Sequence, residues 1–348
     1  MKLVHFTLAD QFHFGMMTDA NEFIDLDTAC RDYFGVNPVK GADPSRFRDM
    51  QQFFQGGAES VQITKKILEY IDRRRKMGWT PRAATGARFL FKPEEGIKLL
   101  APVVRTAKVY CLAGNSRSHL AEQHKESPKQ PYVFTRFFNS LVGPSESLVL
   151  NPAGTFPDVE LELAAVIGQH GKHIPEAKAM EYVAGYTVAF DMGYRDLQYP
   201  AGGPIDWVMG KGFDATMAVG PWVVPKEEVG DVYPLRMELK VNGTVRQAGD
   251  TNDYVFRIPQ ILAHLSTGIS LEPGDVISLG SLGGVPGYEF GNESRKLKAG
   301  DSVAGAVPGT TGRGVASALT VDTSRPIFSI APSTESPAFS FRLSFPNS

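Results

Sequence analysis

Three carboxylates give this chain a possible metal chemistry. Glu160 and Glu162 stand two apart where the sequence enters the apolar run Leu161 to Ile167. That run has the length and composition of a strand. Strand side chains alternate, so the two acids share one face and Leu161 and Leu163 take the other. Two like charges on an apolar strand are costly to bury, and a cation between them removes that cost. Asp191 ends a second apolar run, Val183 to Phe190, which follows an expected helix around Pro175 to Tyr182. Three carboxylates from two neighbouring strands make a candidate hard-cation site with positions left for water and substrate. Taken alone, an E-x-E pair is more often a solvated strand face.

A second constellation precedes it. Lys108 to Ala113 reads as a buried strand, Gly114-Asn115 ends it, and Ser116 to Glu122 begins a new element. If that element is helical, His119 and Glu122 are i and i+3 on one face. A carboxylate beside an imidazole orients it and raises its basicity, as a general base requires. A surface pair is the alternative. Lys211 lies between Gly210 and Gly212, where no neighbouring side chain keeps its ammonium from a ligand. The run Gly280-Ser281-Leu282-Gly283-Gly284-Val285 could let backbone N–H groups approach a carboxylate, or simply form a tight turn.

The elements that must position these residues are mostly strands between about 108 and 310. Asn242-Gly243 sits between alternating segments and signals a hairpin. Asp253 to Thr267 contains a helix with Ile258, Ile261, Leu262 and Leu265 apolar. No Rossmann glycine motif, P-loop, nucleophile elbow or H-E-x-x-H is present. Residues 1–104 read as an accessory domain: a hairpin over Met1 to Phe14, then helices, the strongest at Ser60 to Met77. There Ile63, Ile67, Tyr70 and Ile71 share a face. Residues 105–311 form the expected catalytic domain, an α+β, strand-rich barrel or rolled sheet. Residues 312–348, rich in Ser, Pro and Phe without periodicity, read as a disordered or atypical tail.

Composition narrows the partners. A net charge of −2 over 348 residues, with no long basic run, argues against nucleic acid and against a polybasic membrane anchor. No segment approaches the length of an apolar membrane span. The two cysteines, Cys30 and Cys111, make neither a disulfide framework nor a zinc set, which suits a cytoplasmic setting.

Taken in order, these stretches resemble the fumarylacetoacetate hydrolase family. Gly114-Asn115 through His119 and Glu122 is similar to its G-x-N-Y-x-x-H-x-x-E motif, and Asp158 to Leu163 to its D-x-E-x-E-L strand. Asp191 through Arg195 and Gln198 is similar to D-x-x-x-R-D-x-Q, and Gly210 to Asp214 to G-K-x-F-D. The resemblance implies a mixed β-barrel-like catalytic domain in a homodimer. It implies Mg²⁺, or Mn²⁺ or Ca²⁺, on Glu160, Glu162 and Asp191, and a small 2-oxo or diketo acid as substrate. Arg195 and Lys211 would neutralise the substrate, and Gln198 would donate a hydrogen bond to it. His119, oriented by Glu122, would activate water to cleave the carbon–carbon bond of an acylpyruvate, releasing pyruvate and a carboxylic acid. Family members that decarboxylate oxaloacetate, isomerise or hydrate are the alternative, as is an inactive scaffold. The chain departs from the pattern in three places. Ser116 replaces a Tyr. Ser281-Leu282 stands where the family has T-P, with the Ser281 hydroxyl retained for substrate. The closing I-x-x-I-G-x-L pattern is missing after Asp301.

Overall fold

The apolar run Leu161–Ile167 forms a strand that is buried along its whole length. A strand with so little polar surface must be covered on both faces and paired on both edges. It lies between Val183–Asp191 and Val276–Ser281, antiparallel to both. Val276–Ser281 pairs in parallel with Val109–Ala113, which pairs with Tyr132–Arg136. On the other side Val183–Asp191 pairs with Met217–Pro225. This computed structural model describes residues 1–307 except 39, 40, 42, 80, 81, 234 and 286–295, and the backbone of 316–322.

The expected N-terminal hairpin forms from Lys2–Leu8 and Gln11–Met17. Helices Leu26–Val36, Met50–Gln55 and Gly57–Lys76 pack on it, and Ile67, Tyr70 and Ile71 of the long helix are buried. This region has its own apolar cluster around Phe14, Phe47, Phe53 and Phe89, which Val166 and Val223 join. Its sheet is nevertheless continuous with the acidic strands, because Lys2–Leu8 pairs with Met217–Pro225 through Leu3 and Val223. The result is a mixed, sheet-rich α+β fold whose main sheet has 12 strands. Its path runs from Leu90–Phe91 to Tyr132–Arg136, so no closed barrel is seen among the described residues.

A second sheet of four strands packs beside the first. Arg236–Val241 and Thr244–Asp250 form the Asn242-Gly243 hairpin, with positive φ at both turn residues. Ser302–Val307 pairs with Arg236–Val241, and Ala316–Asp322 pairs with Ser302–Val307. The last strand lies within the stretch read from sequence as a tail from 312, and here the backbone pairs as sheet. Low side-chain periodicity hid it, since a strand's ladder is made by backbone groups that every residue carries. Residues 323–348 of that expected tail lie outside the described residues. Among the described residues no helix is long and apolar enough to cross a membrane.

Candidate metal centre and proton-transfer site

Glu160, Glu162 and Asp191 lie close together and are buried away from solvent. Glu160, just before the Leu161–Ile167 strand, and Glu162 within it are both buried, as is Asp191 at the end of its own strand. One ligand oxygen from each lies within 4.8 Å of the others. Asp158 continues the same period of two and is buried as well.

Cations gather round this cluster unevenly. Lys211 Nζ lies 2.5 Å from Glu160 Oε2 and 2.8 Å from Asp191 Oδ2. Arg195 Nη2 lies 2.9 Å from Asp158 and 3.0 Å from Glu160. Arg136, from the strand Tyr132–Arg136 at the far end of the sheet path, places Nη2 3.3 Å from Asp191 Oδ1 and donates to Thr216 O at 2.7 Å. Among the described residues Glu162 receives only neutral donors, Ser278 Oγ and the N–H of Gly280. Four buried carboxylates thus meet three permanent cations, and Glu162 carries the excess.

The proton affinities follow. Burial first, then the charges of Asp191 and Glu160, push Glu162 up to about 8. Burial works against ionising Glu160 too, but Arg195, Lys211 and His119 outweigh it and hold that carboxyl below its ordinary range. Lys211 is raised: burial disfavours its charge, and Asp191 and Glu160 more than restore it. A divalent cation suits this arrangement. Asp191 Oδ1 is buried with no hydrogen-bond partner, and burial together with the charges of Asp191 and Glu160 favours a proton on Glu162 that a cation would replace. Oxygen-only donors favour a hard ion.

His119 approaches from the facing side. Ser116 caps a short helix, Arg117–Glu122, by accepting from the His119 N–H. Its imidazole is buried, with Nε2 3.8 Å from Glu160 Oε1 and Nδ1 3.6 Å from Glu122 Oε2. The Gly280–Val285 segment does bring N–H groups to carboxylates, but they are the protein's own. Gly280 N–H reaches Glu162 and Gly284 N–H reaches Glu122. Both glycines have positive φ, and a Cβ on Gly284 would sit 2.3 Å from Arg246 O.

His119, Glu160, Glu162, Asp191, Arg195, Gln198, Lys211 and Ser281 all line one cavity of about 250 Å³, with Glu122 behind His119. Gln198 accepts from Arg195 at 3.0 Å and Ser281 accepts from Gln247 at 2.7 Å. Lys211 ends a short helix, Trp207–Lys211, instead of lying in a loop. The glycine that makes room for it is Gly193, whose Cβ would meet the lysine stem at 2.7 Å. Trp207, stacked on Phe134 at 4.4 Å, forms an apolar wall with Ile205 and Tyr199 nearby. The sequence reading missed Arg136 and Asp158. Arg136 could have been noticed as a lone charge in an aromatic run, and Asp158 as the third acid at the same period.

Known proteins are similar to this chain in sequence and fold. Residues 108–316 match the family described as Fumarylacetoacetate (FAA) hydrolase C-terminal. Human oxaloacetate tautomerase FAHD2A, mitochondrial, is 36% identical over 269 residues, covering 77% of this chain and 79% of its own. A crystal structure of fumarylpyruvate hydrolase from Pseudomonas aeruginosa in complex with Mn²⁺ and pyruvate aligns with a TM-score of 0.55. It is 28% identical and covers 65% of this chain and 91% of that one. A putative HpcE protein from Mycobacterium smegmatis aligns with a TM-score of 0.66 at 26% identity, over 93% of this chain and 99% of that one. With the profile spanning most of the acidic sheet and the relatives aligned well beyond it, this chain belongs to the fumarylacetoacetate hydrolase family.

Proposed function

We propose that this chain is a divalent-metal-dependent enzyme that moves a proton at the carbon beside the keto group of a 2-oxo dicarboxylic acid. The reaction is keto–enol tautomerisation of an oxaloacetate-type substrate. The observation that carries this reading is the buried imidazole of His119, set between Glu122 and the acidic cluster and facing the cavity. Glu160, Glu162 and Asp191 would hold Mg²⁺ or Mn²⁺. When bound, the ion supplies Lewis-acid polarisation of the keto oxygen, which acidifies the adjacent C–H. His119 Nε2 takes the proton from that carbon and passes it to the keto oxygen, so the C–H bond broken is replaced by the enol O–H bond, and the reverse direction returns the proton from oxygen to carbon. Glu122 favours the charged imidazole between the two transfers. Arg195 and Lys211 keep the site's charge near balance as substrate carboxylates enter, and Gln198 and Ser281 offer hydrogen bonds along the wall. The human relative's name, at 36% identity over most of both chains, supports this reaction.

Acylpyruvate hydrolysis is the second reading, supported by the fumarylpyruvate hydrolase that aligns at 28% identity. It uses the same His119, now taking a proton from water, and ends in carbon–carbon cleavage. The assay follows the loss of enol absorbance from oxaloacetate with and without Mg²⁺, and the release of pyruvate from acetylpyruvate. An enol decay no faster than buffer containing the metal overturns the tautomerase reading. Pyruvate from acetylpyruvate selects the hydrolase.

Two further expectations belong here. A second copy would cover the exposed apolar side chains Phe137, Phe138, Val208 and Met209, giving the homodimer expected from the sequence. Sedimentation tests it. A cytoplasmic setting is supported by Cys30 and Cys111, which are both buried and free. The human relative carries "mitochondrial" in its name, and cell fractionation distinguishes the two compartments.

A further inference from the structure

The helix that carries His119 is six residues long, Arg117–Glu122. A helix of one and a half turns does not hold itself together in water, because nucleation costs more than so few hydrogen bonds return. Its position must come from contacts made to it. Those contacts converge on one carboxylate, that of Asp253, more than a hundred residues away in the chain.

Asp253 Oδ2 accepts from Ser116 Oγ at 2.7 Å and from the Ser118 hydroxyl. Its two oxygens lie 3.1 and 3.2 Å from the Ser118 N–H. Ser116 is the helix N-cap, and the same Ser116 Oγ accepts from the His119 N–H at 3.2 Å. Asp253 therefore orients the hydroxyl that caps the catalytic residue's own amide. It also accepts from the N–H of Ser118 in the first turn, which the helix itself cannot satisfy. The backbone beside it reinforces the link: Arg117 Nη1 donates to the carbonyls of Asn252 and Tyr254, at 3.1 and 2.8 Å. At the other end Ser118 Oγ accepts from Gly283 N–H and Glu122 accepts from Gly284 N–H.

We infer that Asp253 is a positioning residue, which fixes the His119 helix over the cavity through Ser116 and Ser118. The inference rests on the proton-transfer role proposed for His119. Asp253 lies outside the metal cluster and makes no contact with Glu160, Glu162 or Asp191. Its loss should thus misplace the imidazole while leaving the ion's carboxylates where they are. Displacing a reacting group by about 1 Å can cost on the order of 100-fold in rate.

The test compares wild type, Asp253→Ala, Asp253→Asn, His119→Ala and the double variant Asp253→Ala/His119→Ala, all full-length and with Mn²⁺. Asp253→Ala should lower kcat by about 10- to 100-fold. Its Kd for Mn²⁺, by calorimetry, should stay within about twofold. Asp253→Asn, which keeps one acceptor oxygen, should recover part of the rate. The double variant should be no slower than His119→Ala alone, since a residue acting only through His119 has nothing left to position. Hydrogen exchange at the amides of 118–120 should accelerate in Asp253→Ala, with Leu161–Ile167 unchanged. Wild-type kcat in Asp253→Ala, additive losses in the double variant, or unchanged exchange at 118–120 each overturn the inference. If His119→Ala is as active as wild type while the exchange accelerates, the role of His119 falls and the tether to Asp253 stands.

Discussion

Metal binding should release a proton, and Glu162 should supply it. In the metal-free protein its carboxyl is pushed up to about 8 by burial and by Asp191 and Glu160. A metal ligand must be ionised, so below that value the ion has to displace a proton. The available fraction of Glu162 falls about tenfold for each pH unit well below 8. From about pH 8 to pH 6 the apparent affinity for Mn²⁺ should fall about 50-fold, or roughly 2 kcal/mol. Calorimetric titration in two buffers of different ionisation enthalpy counts the protons directly. It should find about one released near pH 6 and progressively fewer above pH 8. The stability of the folded chain follows with a definite sign. Glu162 binds its proton more tightly folded than unfolded, where its ordinary value is 4.5. Metal-free stability should therefore fall as pH rises from about 4.5 to 8, and added Mn²⁺ should raise Tm more at the upper end of that window. The same titration on His119→Ala removes the imidazole's contribution. An affinity that is flat across this range in His119→Ala, with no proton released, would refute the reasoning that Glu162 is the acid left without a cation. Glu162→Gln should bind more weakly and lose the proton release.

Three other outcomes follow from the same geometry. His119→Ala should slow enol conversion by about 10²- to 10⁴-fold, the usual range for losing a general base, and Glu122→Gln by less, as read from initial rates with metal saturating. Lys211→Met leaves Glu160 and Asp191 buried without their shared ammonium. It should cost the metal-free protein about 3–5 kcal/mol, with part of the lost Tm recovered on adding Mn²⁺. His5 is buried with Nε2 unpartnered, and burial lowers it to about 4, so the folded chain refuses a proton that the unfolded chain accepts below 6.5. Its own contribution is a loss of about 2 kcal/mol between pH 7 and pH 5, opposite in sign to that of Glu162, and urea titration should show it as the difference in pH dependence between wild type and His5→Phe.

Most of the strands were legible because their signals are local. The run Leu161–Ile167 forms the strand its composition predicted, the Asn242-Gly243 turn makes its hairpin, and the element after Asn115, left open by the sequence, is the short helix Arg117–Glu122. The acidic residues and His119 could be singled out for the same reason: side-chain period and residue type are properties of neighbours in the chain. What the period could not decide is which acid would lack a partner. Glu160 meets Arg195 and Lys211, from 35 and 51 positions onward, while Glu162 meets Ser278 and Gly280, more than a hundred positions away. Only the pairing of Leu161–Ile167 with Val276–Ser281 determines that environment, and with it the proton on Glu162. The joining of the N-terminal hairpin to the acidic sheet at Leu3 and Val223 is likewise a matter of edge pairing. So is the strand at Ala316–Asp322. Backbone N–H and C=O groups are alike in every residue, so a free strand edge carries no mark in the sequence of what will pair with it.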